Sequence, residues 1–152
     1  MVGYSKMKQT DIKIIQHLRN NARNSITKIS RKTGIPTSTV FVKLKDLEKD
    51  IIKKYTALLD YSKIGYHDWH KTAVKLEGGH QQDFEDYVYS HENINSVYEI
   101  NGGFHYLIES VHKNIRDYMD FIKEMQTKFD VEEMKQFQII RDIKREALVI
   151  PD

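Results

Sequence analysis

The chain has 152 residues, 39% hydrophobic and 30% charged, enough for one good core or two small ones, and its lack of cysteine excludes disulfides, thiolate metal sites and cysteine nucleophiles. No stretch approaches the ~20 apolar residues of a membrane span, and the first eight residues have no apolar run, so neither a membrane helix nor a signal peptide is expected and a cytoplasmic location is. The net charge of +2 hides an asymmetry: residues 1–56 carry 13 Lys/Arg against 4 Asp/Glu, a balance of +9, and residues 57–152 carry 11 against 18, a balance of −7.

A basic first third is the electrostatic footprint of a phosphate-binding module; the plainer alternative is a solvated Lys-rich face with no partner. A first helix is expected from about Thr10, as N-cap, to Asn20-Asn21, with Ile12, Ile14, Ile15 and Leu18 apolar. Ser25 is a good N-cap for a second helix that buries Ile26 and Ile29, with the small Ser30 placed for close packing. Gly34 can take the positive φ that ends a helix, and a third helix is expected from about Thr37 to Asp50. At 100° per residue its Val40, Leu44 and Leu47 form one buried stripe, while Ser38, Val42 and Lys45 point nearly opposite. A helix docked by such a stripe can offer its other side to a DNA groove, where Ser and Lys reach base edges or phosphates and a Val methyl can meet a thymine methyl. Residues 51–66 read as a β-prone linker that ends in a turn at Gly65.

The second half alternates between strand and helix. Strands are expected at Thr72–Leu76, Ser96–Ile100, Phe104–Val111 and Gln136–Ile143, with Phe137, Ile139 and Ile143 on one face of the last. Helices are expected at Gln81–His91, with Phe84, Tyr87 and Val88 inward, and at Asn114–Phe129, with Ile115, Tyr118, Met119, Ile122, Met125 and Phe129 inward. Asn101-Gly102-Gly103 is a hairpin turn signal, and Asp130, Glu132 and Glu133 read as a charged turn. The order β-α-β-β-α-β is the split βαβ pattern, with two helices on one face of a four-stranded sheet. Leu107, Val111 and Ile140 would partly line the other face, and an apolar second face argues for dimerisation. The fold class is therefore α+β, divided into residues 1–50, the linker 51–66, and 67–152.

These residues together resemble the Lrp/AsnC (feast/famine) family of transcription regulators. The resemblance covers nearly the whole chain. It is carried by Asp11-Ile12-Lys13-Ile14-Ile15, Leu18, Asn21-Ala22-Arg23-Asn24-Ser25, Ile29, Gly34-Ile35, Val40 and Leu44 through Leu47-Glu48, then by Ile52-Lys53-Lys54-Tyr55, Leu59-Asp60 and Ile64-Gly65. It implies a winged-type helix-turn-helix followed by a ferredoxin-like sensor (RAM) domain, dimerisation through the sheets, assembly of dimers into octamers, and amino acids as usual effectors. The implied ligand is double-stranded DNA with a pseudo-palindromic operator, and the alternative is a low-specificity architectural DNA binder without an effector. Residues expected at the DNA are Arg23, Ser25, Lys28, Arg31, Thr37, Ser38, Thr39, Phe41, Val42, Lys43 and Lys45.

Four positions depart from the family pattern. Pro36 stands where Ser is favoured, so the cap of the third helix is expected to pass to Thr37. Lys43 replaces a common Arg and lacks its bidentate fork, and Asp50 replaces a frequent Gly. The effector loop usually reads Gly-x-x-Asp; here it is Gly102-Gly103-Phe104-His105. Asn101, Gly102, Gly103, Phe104 and His105 are the expected effector set. His105 is a weaker acceptor for an amino group than Asp, and the alternative is a plain tight hairpin. Seven histidines show no metal-ligand spacing, and no nucleophile motif or phosphate loop stands out, so no metal, cofactor or enzymatic activity is expected.

Overall fold

The computed structural model describes residues 7–147. The chain forms two compact units. One runs to Leu58 and takes the chain back at Lys144; the other is Leu59–Ile143.

The first unit holds three helices, α1 (Gln9–Asn20), α2 (Ile26–Thr33) and α3 (Thr37–Asp50). Ile14, Leu18, Ile29, Ile35, Val40 and Leu47 are its buried core, with Ile15, Ile26, Leu44 and Ile52 packed against them. A core this small makes each member costly to lose: Leu47→Ala removes about 2–5 kcal/mol. The first helix starts two residues earlier than an N-cap at Thr10 would place it. Lys8 is its N-cap and has no side-chain cap bond, and Thr10 lies inside the helix. After α3 the chain from 52 to 60 forms no regular secondary structure, so its β-prone residues are not paired within the chain. The described tail returns to α1. Arg19 donates from Nη2 to the carbonyls of Glu146 (2.9 Å) and Ala147 (3.2 Å) and lies 3.4 Å from the Glu146 carboxylate.

The second unit opens with a 3-10 turn, Tyr61–Ile64, closed by Gly65 at φ 88°. Then follow β1 (Asp68–Leu76), α4 (Gln81–Ser90), β2 (Ile94–Glu99), β3 (Tyr106–His112), α5 (Ile115–Lys128) and β4 (Val131–Gln138). The strands form one antiparallel sheet in the order β2-β3-β1-β4. Val74, Leu76, Phe84, Val88, Tyr106, Ile108, Tyr118, Phe121, Ile122 and Met125 form the core between sheet and helices.

Three expectations are corrected here. β4 lies five residues before the expected Gln136–Ile143. A register shift opposite Lys75 and Leu76 leaves Glu132 as an extra residue of β4 and lets Val131 and Met134, three apart, both pack on the core, so this strand breaks period-two alternation. Its acidic residues suit a sheet edge, where Lys75 meets Glu132 at 2.7 Å. Ile140, expected on the second sheet face, lies past the strand and is 84% exposed. In α5, Ile115 and Met119 are exposed and Phe121 is buried. The stripe Tyr118, Phe121, Ile122 and Met125 fixes the face, and Met119 sits about 100° round the helix from Tyr118.

β1 begins four residues before Thr72 because its polar side chains find partners under α5. The Thr72 and Tyr118 hydroxyls are 2.9 Å apart, His70 stacks on the Tyr118 ring, and Gln138 donates to Asp68 at 3.1 Å. His112 is 1% exposed, 3.0 Å from the Ser110 hydroxyl. Burial pushes its imidazole down to about 4 and also lowers His70 and His91.

Candidate DNA interface and effector loop

Local bonds fix how α2 and α3 meet. The Ser25 hydroxyl accepts from the Lys28 N–H at 3.2 Å and caps α2. Gly34 ends the helix at φ 72°, and its N–H donates to the Ser30 carbonyl. The Ser30 hydroxyl donates to the Ile35 carbonyl at 2.6 Å and accepts from Thr37 Oγ1 at 3.2 Å, so one side chain ties helix, turn and next helix together. The small residue expected to allow close packing works as a turn clamp. Thr37 is thereby engaged with α2 and does not cap α3. Pro36 is the N-cap, without a side-chain bond, and its carbonyl accepts from Val40.

With Val40 and Leu47 buried, α3 exposes Thr37, Ser38, Phe41, Val42, Lys45 and Lys49, while Thr39 is half-buried. The Lys45 ammonium lies 4.9 Å from the centre of the Phe41 ring, an i, i+4 cation–π pair on the outer face. Lys43 differs: its ammonium is 3.0 Å from the Asp11 carboxylate of α1, and both side chains are largely covered. The structure thus places Lys43 as a tie between helices. Arg23 and Arg31 are exposed and Lys28 is half-buried, on the loop before α2 and along it. The Arg23 N–H donates to Asn21 Oδ1, which shapes that loop. The sequence reading omitted Asp11 as the partner of Lys43 and Lys49 as the continuation of the exposed stripe. Lys49 was legible from its spacing of four after Lys45; the Asp11 contact depends on how two helices cross.

In the second unit, Asn101, Gly102 and Gly103 are exposed, with Gly102 at φ 91° and Gly103 at φ 97°; Phe104 and His105 are half-buried. Two consecutive positive φ angles need glycine here. The His105 backbone pins the loop, donating to Val74 O at 2.9 Å and accepting from the Ile100 N–H at 2.8 Å. Its ring is engaged as well: the Leu76 N–H donates to Nδ1 at 3.1 Å. That bond needs the lone pair on Nδ1, which puts the ring proton on Nε2 in the neutral form. His105 therefore offers a donor where the family's Asp offers an acceptor. The sheet face away from the helices carries Trp69, Ala73, Tyr98, Leu107, Val111 and Phe137, with Lys71 3.7 Å from Glu109 among them.

A family model described as a winged helix-turn-helix DNA-binding domain matches residues 7–50. A second, described as the Lrp/AsnC ligand binding domain, matches residues 72–149, just over half of the chain. The chain belongs to the Lrp/AsnC family. Among relatives, the regulator FL11 of Pyrococcus horikoshii is 29% identical over 115 residues, 75% of this chain and 76% of that protein. LrpC of Bacillus subtilis is 27% identical over 120 residues, 78% of this chain and 83% of its own. Among solved structures, LrpC of B. subtilis has a TM-score of 0.83 at 24% identity, covering 91% of this chain and 98% of that one. The Neisseria meningitidis regulator NMB0573, solved as a complex with L-Met, has a TM-score of 0.84 at 22% identity, covering 92% and 94%.

Lrp/AsnC proteins are a family of transcription regulators and not of enzymes. The α+β architecture matches the family, with a helix-turn-helix unit before a four-stranded sheet and its two helices. Among the described residues no helix is long and apolar enough to cross a membrane.

Proposed function

We propose that this Lrp/AsnC chain is a cytoplasmic regulator that binds a pseudo-palindromic operator as a dimer or a higher assembly of dimers. The observation that carries the reading is the Ser25–Ser30–Gly34 frame, which holds α3 with its exposed face in line on a strongly basic unit. A dimer built on the open sheet face presents two such helices, which calls for half-sites about 10 bp, or a multiple, apart. Arg23, Ser25, Lys28, Arg31, Thr37, Ser38, Thr39, Phe41, Val42 and Lys45 supply the contacts, and Lys43 acts by holding α3 against α1. The loop Asn101–Gly102–Gly103–Phe104–His105 is the effector site. An effector there meets a donor on His105, so a ligand that presents an acceptor at that point fits better than an ammonium group.

The test is selection of bound DNA from a random pool, with and without each of the twenty amino acids. A selected palindrome supports operator recognition. Binding without any preferred sequence overturns it in favour of an architectural DNA binder. An enriched site that ignores all twenty amino acids separates regulation from amino-acid sensing.

A further inference from the structure

The outer face of α3 is chemically unusual for a helix that reads DNA. The helix, Thr37–Asp50, has no Asn or Gln to grip adenine and no Arg fork for guanine, and its lysines are Lys43, Lys45 and Lys49. Two of its polar groups are occupied inside the protein: Thr37 Oγ1 donates to Ser30, and the Lys43 ammonium pairs with Asp11. Val42 stands at the middle of the outer face and Phe41 on its flank, 58% and 47% exposed, although large apolar side chains gain nothing from water. The Phe41 ring carries the Lys45 ammonium over its face, which limits its motion and sets a cation beside it.

A major groove offers one apolar group among its donors and acceptors, the 5-methyl group of thymine. We propose that Phe41 and Val42 read thymine through that methyl group, so that α3 takes thymine-bearing sites by apolar contact while Lys45 holds the neighbouring backbone. This rests on the DNA-binding reading above. The side chains are adjacent in sequence and about 100° apart around the helix, so they reach neighbouring positions in the groove. Each methyl buried is worth about one methylene, or about fourfold in affinity.

The experiment compares the full-length protein on alternating duplexes that differ only in the methyl group: poly(dA-dT) against poly(dA-dU), and poly(dG-5-methyl-dC) against poly(dG-dC), at low salt without magnesium. The expected result is about fourfold or more tighter binding to the methylated member of each pair, with the ratio falling towards one in Val42→Ala and Phe41→Ala and partly kept in Val42→Thr. Both side chains are exposed, so circular dichroism and melting of the variants should match the parent. Equal wild-type affinity within each pair overturns the proposal while leaving DNA binding intact. A ratio that persists in both alanine variants also overturns it, because the methyl is then read elsewhere. Failure to bind any of the four duplexes overturns the DNA-binding reading itself.

Discussion

Lys43 of α3 and Asp11 of α1 face each other at 3.0 Å, and this pair joins the exposed helix to the rest of its unit. An ion pair that is largely covered but still reached by solvent contributes about 1 kcal/mol. Lys43→Ala and Asp11→Ala should each lower stability by about that amount, with a coupling energy in the double variant that shows one shared contact. Urea melts of the three variants measure it, and full additivity would remove the pair as a tie.

Lys45 stands on the outer face over the Phe41 ring and, among the described residues, forms no ion pair. Lys45→Ala should lower the slope of log affinity against log salt by about one unit if it meets a phosphate. Lys43→Ala should change that slope by clearly less. The two slopes, taken on one DNA duplex, distinguish a contact residue from a positioning residue, and equal slopes would undo the distinction.

Gly34 holds φ at 72°, and a Cβ built there meets nothing within 4 Å. Gly34→Ala therefore carries only the cost of the left-handed backbone, about 1 kcal/mol. Ser25→Ala, which removes the cap, should cost about the same. Because both act on the frame of α3, DNA affinity should fall with melting temperature in both, as a paired melt and titration would show.

Buried His112 and His70 and half-buried His91 make stability fall in acid. His112 has its folded value lowered to about 4, and His70 and His91 are lowered too, all first by burial. The unfolded chain takes protons near 6.5 while the fold disfavours the charged rings, so their contribution is whole above 6.5 and is lost as pH falls below it, down to about 4 for His112. Urea midpoints at pH 7.5, 6 and 5 should fall in that order. His112→Gln should flatten the trend; an unchanged slope would assign it to other groups.

Leu107 and Val111 lie at the centre of the open sheet face, and Tyr98 and Phe137 on its two edge strands. If that face joins two copies, Leu107→Glu should convert the dimer to monomer in light scattering. Tyr89→Asp, at a side chain 93% exposed on α4, should leave it dimeric. A dimer that survives Leu107→Glu would move the interface elsewhere.

Much of the fold was legible because its signals are local. Ser25, Gly34 and the stripe Val40, Leu44, Leu47 announce the helix-turn-helix without reference to distant residues. The long helix was legible in its extent but not in its face, since choosing Ile115 and Met119 over Phe121 requires knowing which sheet it meets. β4 was misplaced because its bulge lies opposite Lys75 and Leu76, a pairing made across more than fifty residues. Polar β1 residues hid the start of that strand, since Asp68 and His70 read as loop until Gln138 and Tyr118 are beside them. At the candidate sites, exposure of Ser38, Phe41, Val42 and Lys45 followed from helix geometry. The engagement of Thr37, Lys43 and His105 did not, because each depends on a partner in another element.

The bonds from Arg19 to Glu146 and Ala147 bear on how the protein can be dissected. The covalent chain leaves the first unit after Leu58 and rejoins it at Lys144, so the second unit is an insertion and not an appendage. Truncation after residue 58 would strip α1 of those contacts. A fragment that deletes 59–143 and rejoins the tail keeps both pieces of the first unit, and it is the form in which the minimal DNA-binding module should be expressed.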